Sequence, residues 1–380
     1  MATVLVSGAS VAGTATAYWL RRQGHSVTVV ERHPGLRPGG QAIDVRGPAL
    51  TVLDRMGLLD AVRARAIAFR GMSAVDAAGA EISRDTEKTA TGGLIGSPDI
   101  EILRDDLVDV LHAAVPDVDF VFGDTVAALD DTGEAVHVEF ERAAPQTFDL
   151  VVGADGLHSA VRRLAFGPEE DFLRRMGMFL AVCTIDNILG LDHWQTWFVE
   201  REPELFCGLY SARDDTEARV MFGFTDTHLR LDYRDGVAQR AEIERRFAGT
   251  GAFVDRLLDL TRDATDFYCD EAAQIVMDRW SAGRIALVGD AAHCASPLSG
   301  QGSSLALIGA YVLGGELGAA HGDHVRGFTR YEAALRGYVA DNQALAFEDS
   351  SDDDTWWDRF YPVVNGLVLG DYPDRAVAGR

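Results

Sequence analysis

Short apolar runs bounded by glycine recur along the chain, and several are followed by segments whose apolar residues fall at helical spacing. Residues 3–7 (TVLVS) lead into Gly8-Ala9-Ser10-Val11-Ala12-Gly13 and then a helical pattern through Ala15, Tyr18 and Trp19; a second apolar strand, residues 27–30, ends at Glu31. Strand, glycine loop, helix and strand in that order predict a βαβ nucleotide-binding unit. Residues 150–152 and 284–288 read as further buried strands, the second running into Gly289-Asp290 and, after Pro297, into Gly300-Gln301-Gly302 and an apolar helix through Leu305, Ala306, Ile308, Gly309 and Leu313. Between 171 and 274 the pattern changes. Residues 179–183, 196–199, 205–210 and 219–224 read as four successive aromatic-rich strands, followed by helices at 239–247 and 253–260 and strand-like runs at 267–269 and 274–277, which predicts a separate antiparallel sheet.

The remaining segments are read more coarsely. Residues 49–56 form a helix with Leu50, Leu53 and Met56 on one face, and 71–99 a strand pair and a loop. A helix opens at 102–107, and 118–126 pairs with 135–141 in a hairpin. Helices are expected at 310–317 and 325–347. The acidic run 348–354 could bind a cation but reads more simply as a solvated loop, and Trp356, Trp357, Phe360 and Tyr361 supply a C-terminal apolar anchor.

Chemistry follows from the two glycine loops. The first would cradle a pyrophosphate on the N–H groups of Gly8, Ser10, Val11, Ala12 and Gly13, with Glu31 and its neighbour Arg32 at the adenosine end. Ser10 stands where the usual pattern has its middle glycine. A carboxylate at Glu31 accepts ribose hydroxyls and disfavours a 2′-phosphate, so the resident nucleotide is FAD or NAD and not NADP. At the second loop Asp290 closes a strand, and Gly300, Gln301, Gly302 and Ser303 begin a helix whose free N–H groups suit a flat ring that gains negative charge, as a reduced flavin does. The lesser alternative for this second pattern, taken alone, is an ordinary strand–loop–helix unit of an α/β domain.

Composition narrows the field. The chain has 380 residues, 47% of them hydrophobic, and 35 basic against 59 acidic residues give a formal charge of −24. That charge repels nucleic acid and anionic lipid. Lys88 is the single lysine, and Cys183, Cys207, Cys269 and Cys294 form no metal-ligand or disulfide spacing, so no metal is expected and a reducing compartment fits. No apolar run reaches membrane-spanning length, and a soluble, cytoplasmic protein is expected.

The pattern GDAAHxxxPxxGQG at 289–302 resembles the second flavin-binding motif of the class A flavoprotein monooxygenases, the aromatic-hydroxylase-like family. DGxxSxVR, from Asp155 to Arg162, resembles that family's other internal signature, which lies between FAD and the approach of the nicotinamide donor. The resemblance implies a Rossmann-like FAD-binding α/β domain made of residues 1–75, 100–170 and 275–340, a substrate domain of 76–99 and 171–274, and a C-terminal helical segment, 341–380. It places Gly40, Arg46 and Arg104 at the flavin or its ribityl and phosphate chain, Asp155 and Asp290 at the cofactor, and Pro297, Gly300 and Gly302 beside the ring. No dedicated catalytic acid or base is implied.

The activity implied is monooxygenation. FAD takes a hydride from NADPH or NADH, reacts with O2 and, as C4a-hydroperoxyflavin, delivers oxygen to a bound small molecule, with Trp194, Phe206, Tyr210 and Phe222 as pocket candidates. The Ser-Leu-Ala-Leu form after Gly302, with Gly309 where many relatives carry an acid, resembles the subgroup of tetracycline-inactivating and antibiotic-tailoring enzymes and favours a polycyclic or polyketide-like substrate. The extra thioredoxin-like domain of some longer relatives is not expected. A flavin-dependent reductase or oxidase of the same fold, acting without oxygen insertion, remains the alternative; a non-catalytic flavin or nucleotide binder is a third reading.

Overall fold

The computed structural model describes residues 1–201, 204–348 and 356–374. Its first sheet has six strands in the order Ser281–Ala282, Ile285–Leu287, Leu150–Gly153, Thr3–Ser7, Ser26–Glu31 and Asp119–Phe122. All are parallel except Ser281–Ala282, which folds back on its neighbour. These strands are near-continuous runs of Val, Leu and Ile because both faces of a parallel sheet are covered. Register is the important consequence. Ser7 pairs with Gly153 and Val30, and Gly153 with Leu287, so Gly8, Glu31, Ala154 and the turn at Gly289 all emerge at one edge.

Helices Val11–Arg22 and Gly302–Ala319 pack on each other closely enough that a Cβ on Gly314 would sit 2.7 Å from the Cβ of Trp19. The second helix is buried almost all round, which its uniformly apolar sequence requires.

The second sheet has seven strands in the order Tyr268–Ile275, Leu173–Asp186, Glu217–Thr225, Glu204–Ala212, Trp194–Arg201, Gly71–Val75 and Glu81–Asp85. It is antiparallel apart from the pairing of Trp194–Arg201 with Gly71–Val75. Side chains alternate between its faces. On one face Phe179, Phe198, Leu209, Phe222 and Phe224 pack with Ile243, Phe247, Val254 and Leu257 of helices Gly236–Phe247 and Ala252–Thr261. On the other Trp197, Phe206, Tyr210 and Met221 gather with Phe69 and Ala42.

Three expectations are corrected. Strand Gly71–Val75, assigned to the nucleotide-binding part, belongs to the seven-stranded sheet, because it hydrogen-bonds Trp194–Arg201. Asp119–Phe122 is an edge strand of the parallel sheet, and the hairpin is Val126–Asp131 with Val136–Phe140, extended by Gln146–Phe148. The two runs at 267–277 are one strand, Tyr268–Ile275. Helix Trp356–Val364 buries Phe360 and Val364 against Leu345; in the acidic run, residues 349–354 lie outside the described residues. Among the described residues no helix is long and apolar enough to cross a membrane.

The Gly314 contact involves a Cβ fixed to the neighbouring backbone, so it cannot be relieved by a rotamer change. Gly314→Val is expected to destabilise by about 1–3 kcal/mol through overpacking, read as a lowered midpoint in urea or thermal unfolding.

Candidate functional site

The shared edge of the parallel sheet is built from backbone turns that admit no side chain. Gly8 has φ +105°, and a Cβ there would lie 2.5 Å from the Ala154 carbonyl oxygen. A Cβ on Gly13 would stand 1.8 Å from the Gly8 carbonyl oxygen, and one on Gly289, φ +62°, 2.7 Å from the Cβ of Ala12. Helix Val11–Arg22 therefore starts directly on the turn. Ser10, at its N-cap, makes no side-chain cap and is exposed, and the first turn carries no acid, so the helix start presents free N–H groups. Glu31 accepts the Ala9 and His33 N–H groups, both at 2.8 Å, which fixes its carboxylate beside this loop; Arg32 is exposed next to it.

The second glycine motif lies against the same edge. Asp290 begins the short helix Asp290–His293, and burial pushes its carboxyl up; one oxygen is 3.9 Å from where a Gly302 Cβ would be. Pro297, exposed, opens the turn Pro297–Ser299, and Gly300 closes it at φ +62°. Helix Gly302–Ala319 then starts with no side-chain cap and no acid in its first turn, with Ser303 half-buried there. Gln301 is fully buried, yet neither its amide oxygen nor its amide nitrogen has a hydrogen-bond partner among the described residues. A buried amide in that state costs free energy unless a ligand completes it.

A third layer comes from residues 39–46. Gly40 has φ +104°, and a Cβ there would meet Arg104 Nε at 2.7 Å. Arg104 is buried at the start of helix Arg104–Ala113, donates to the carbonyl oxygens of Arg37 and Gly39 at 2.6 Å, and has Nε without a hydrogen-bond partner among the described residues; burial, with Arg37 adding to it, lowers its pKa to about 10. Arg46 is buried, ion-paired to Asp44 at 3.0 Å and Asp99 at 3.3 Å, and donates to the Gly92 carbonyl. Its backbone N–H donates to Ser304 Oγ at 3.0 Å, which ties this strand to the second motif. A Cβ on Gly300 would be 2.9 Å from the Arg46 guanidinium.

The DGxxSxVR residues brace the edge. Asp155 accepts N–H groups of Ala160 and Val161 at 2.8 and 3.1 Å and the Ser159 hydroxyl, so its carboxylate is occupied in capping helix Ala160–Ala165. Arg162, fully buried, donates to the Ala291 carbonyl at 3.1 Å and to Glu169 at 2.9 Å, linking this signature to the second motif.

The four aromatic candidates separate. Tyr210 is fully buried on the sheet face toward residues 39–46, and its hydroxyl accepts the Ala42 N–H at 2.7 Å; Phe206 lies on the same face beside Trp197. Phe222 does not join them: register turns it to the opposite face, where it meets Phe247 edge-on at 5.1 Å. Trp194 covers Gly71 at the outer strands, donates to Ser73 Oγ at 3.0 Å and carries Arg84 over its ring. Both are corrected as pocket candidates. His193, given no role by its sequence neighbours, sits with Asp192 and Asp215 in a group whose ligand atoms fall within 4.8 Å; Asp192 is already paired with Arg70.

Residues 1–340 match the FAD binding domain family. A flavin-dependent monooxygenase from an unknown prokaryotic organism is 41% identical over 90% of this chain and 88% of its own. The chain belongs to the FAD-dependent monooxygenase family. An uncharacterized protein of Mycobacterium tuberculosis is 56% identical over 98% of this chain and 100% of its own. The crystal structure of the tetracycline destructase Tet(51) superposes with a TM-score of 0.88, at 34% identity, over 97% of this chain and 99% of that one. As a member of this family the protein is an FAD oxidoreductase. The side-chain-free cradle, the two uncapped helix starts and the unpartnered amide of Gln301 fit that cofactor.

Several site residues were not singled out from sequence. Asp44 and Glu101 interrupt apolar strand patterns (Ile43, Val45; Ile100, Ile102), a signal that could have marked them. His158 carries no such mark. Its ring lies between Glu169 at 2.9 Å and Asp270 at 3.1 Å and stacks on Tyr233 at 3.7 Å.

Two outcomes follow. Gly13→Val should yield protein whose flavin content, read at the visible flavin bands, falls roughly tenfold or more, since even modest displacement of the loop removes several hydrogen bonds. For His158, burial lowers the pKa, but the hydrogen bonds and charges of Asp270 and Glu169 outweigh it and hold the ring up at about 9, against 6.5 ordinarily. A raised folded pKa stabilises fully below 6.5 and is lost as pH rises through 9. Unfolding free energy should therefore decline across that window by up to about 3 kcal/mol, and His158→Gln should remove that part of the decline.

Proposed function

We propose that the protein uses NADPH or NADH and O2 to oxygenate a polycyclic, aromatic or polyketide-like small molecule held between the flavin and the seven-stranded sheet. The observation that carries this reading is the position of Tyr210 and Phe206 on the sheet face turned toward residues 39–46, the segment that the Arg46 N–H ties to the second motif through Ser304. An apolar, aromatic wall opposite an electropositive helix start is what a flat, weakly polar substrate beside a flavin needs. Similarity to the tetracycline destructase Tet(51), which acts on a polycyclic compound, supports this substrate class, and similarity to a flavin-dependent monooxygenase supports the reaction type.

FAD, when bound, supplies hydride acceptance and oxygen activation. The chain's own residues do the rest. The N–H groups at Gly302 and Ser303 face negative charge on the ring, Gln301 offers a donor and an acceptor from a dry site, and Asp290 accepts hydroxyls of the ribityl chain. Gly8, Ser10, Val11, Ala12 and Gly13 hold the pyrophosphate, Glu31 and Arg32 the adenosine end, and Arg104 with Gly40 the phosphate side. Tyr210 and the Arg219 side chain, which donates to the Gly40 carbonyl at 3.1 Å, clamp the sheet over that segment and exclude water. Four free, buried cysteines suit a reducing cytoplasm.

The test is anaerobic reduction by NADPH and by NADH, then mixing with oxygenated buffer in the presence of a polycyclic phenol. The expected product gains one oxygen atom, from O2 when the gas is isotopically labelled. Conversion of substrate in the absence of O2 would assign the reductase reading in its place.

A further inference from the structure

Strands Ala42–Val45 and Ile100–Leu103 run antiparallel, with Asp44 directly opposite Glu101. Facing like charges destabilise a strand pair, and here the pair is also inside the protein. Asp44 is 8% exposed, and Asp99 joins it around Arg46. Among the described residues, the other groups facing this cluster add no free positive charge. Thr91 donates to Glu101 and accepts from Gln195 at 2.6 Å; Tyr361, on the C-terminal helix, donates to Asp99 at 3.1 Å; Arg219, from the seven-stranded sheet, is engaged by Glu217 and Gly40. The Tyr210 hydroxyl lies in the same interior and accepts the Ala42 N–H. Three carboxyls around one guanidinium leave excess negative charge in a low-dielectric interior unless a carboxyl keeps a proton. One Asp44 oxygen has no hydrogen-bond partner among the described residues. The cluster also abuts the second motif: a Cβ on Gly300 would be 2.9 Å from Arg46 and 3.9 Å from Asp44.

We propose that Asp44 and Glu101 share a proton and are positioning residues that, through Arg46, set the charge presented at the Gly300 turn and hence the reduction potential of the flavin held there. The inference rests on placing the flavin ring beside Gly300. Loss of the shared proton adds a negative charge near a ring that itself gains negative charge on reduction, so the reduced form is disfavoured. Burial, with the Asp44 charge adding to it, pushes Glu101 up to about 8, and burial, against the pull of Arg46, holds Asp44 near 6. The proton therefore leaves as pH rises through 8. Glu101→Gln keeps the hydrogen bond from Thr91 and cannot ionise, so it fixes the low-pH state.

The experiment compares wild type, Glu101→Gln and Asp44→Asn as FAD-loaded proteins, by midpoint potential between about pH 6 and pH 10 and by infrared difference spectra of the protonated-carboxyl C=O stretch. Wild type and Glu101→Gln should track together at low pH, and wild type should fall below the variant above pH 8. The carboxyl band should titrate near pH 8 in wild type, lose that step in Glu101→Gln, and titrate at lower pH in Asp44→Asn, which lacks the like charge. Should Glu101→Gln not fold, the shift in Asp44→Asn decides. Potentials that run parallel at every pH, or a band unmoved by Asp44→Asn, would overturn the proposal and leave the flavin site intact. Wild-type protein that binds no FAD would overturn both.

Discussion

The approach of Gly13 to the Gly8 carbonyl is the contact on which the rest of the structure depends. A Cβ there would be 1.8 Å from oxygen, so the first helix can begin on the turn only because position 13 has no side chain. Gly8 and Gly289 impose the same condition against Ala154 and Ala12. Backbone N–H groups cannot reach a phosphate or a flat ring through a layer of side chains, and these glycines remove that layer. Parallel register then multiplies the effect, because Ser7, Val30, Gly153 and Leu287 end at one edge and deliver their turns to one place. A cofactor spanning from Glu31 to Gly300 would meet the two uncapped helix starts at Val11 and Gly302.

The second sheet matters through a few polar staples. Its helix-covered face is an ordinary apolar core around Phe179, Phe222 and Phe247. Its other face is joined to the cofactor segment by the Tyr210 hydroxyl on Ala42 N–H and the Arg219 guanidinium on the Gly40 carbonyl. Each bond satisfies a buried polar group that would otherwise be orphaned. Together they join that aromatic face of the sheet to the segment at Gly40 and Ala42. The exception is the carboxyl cluster around Arg46, where burial and like charge both favour keeping a proton on a carboxyl, against the pull of the guanidinium.

What was legible in the sequence was local. The glycine loop at 8–13, the acid at Glu31, and the run from Gly289 to Gly302 are contiguous patterns whose geometry follows from the residues themselves. The order of strand, loop and helix needed nothing else. The pocket aromatics depended on strand pairing: Phe206 and Tyr210 share a face by parity, but which face of the neighbouring strand Phe222 occupies is set by its register with Cys207. Gly71–Val75 has the composition of either sheet, and only hydrogen bonding to Trp194–Arg201 assigns it. Asp44 against Glu101, and His158 between Glu169 and Asp270, join residues far apart in the chain, so no window of sequence could contain them.

The most direct measurement is equilibrium titration of flavin-free protein with FAD and with FMN, followed by flavin fluorescence. FMN carries the ring and ribityl chain but lacks the adenosine and second phosphate that, in the proposed reading, the first glycine loop and Glu31 would hold. The account predicts FAD binding tighter by about a hundredfold or more, equivalent to several charge-assisted hydrogen bonds. Equal affinity for the two would contradict it, since the cradle at Gly8 to Gly13 would then hold nothing.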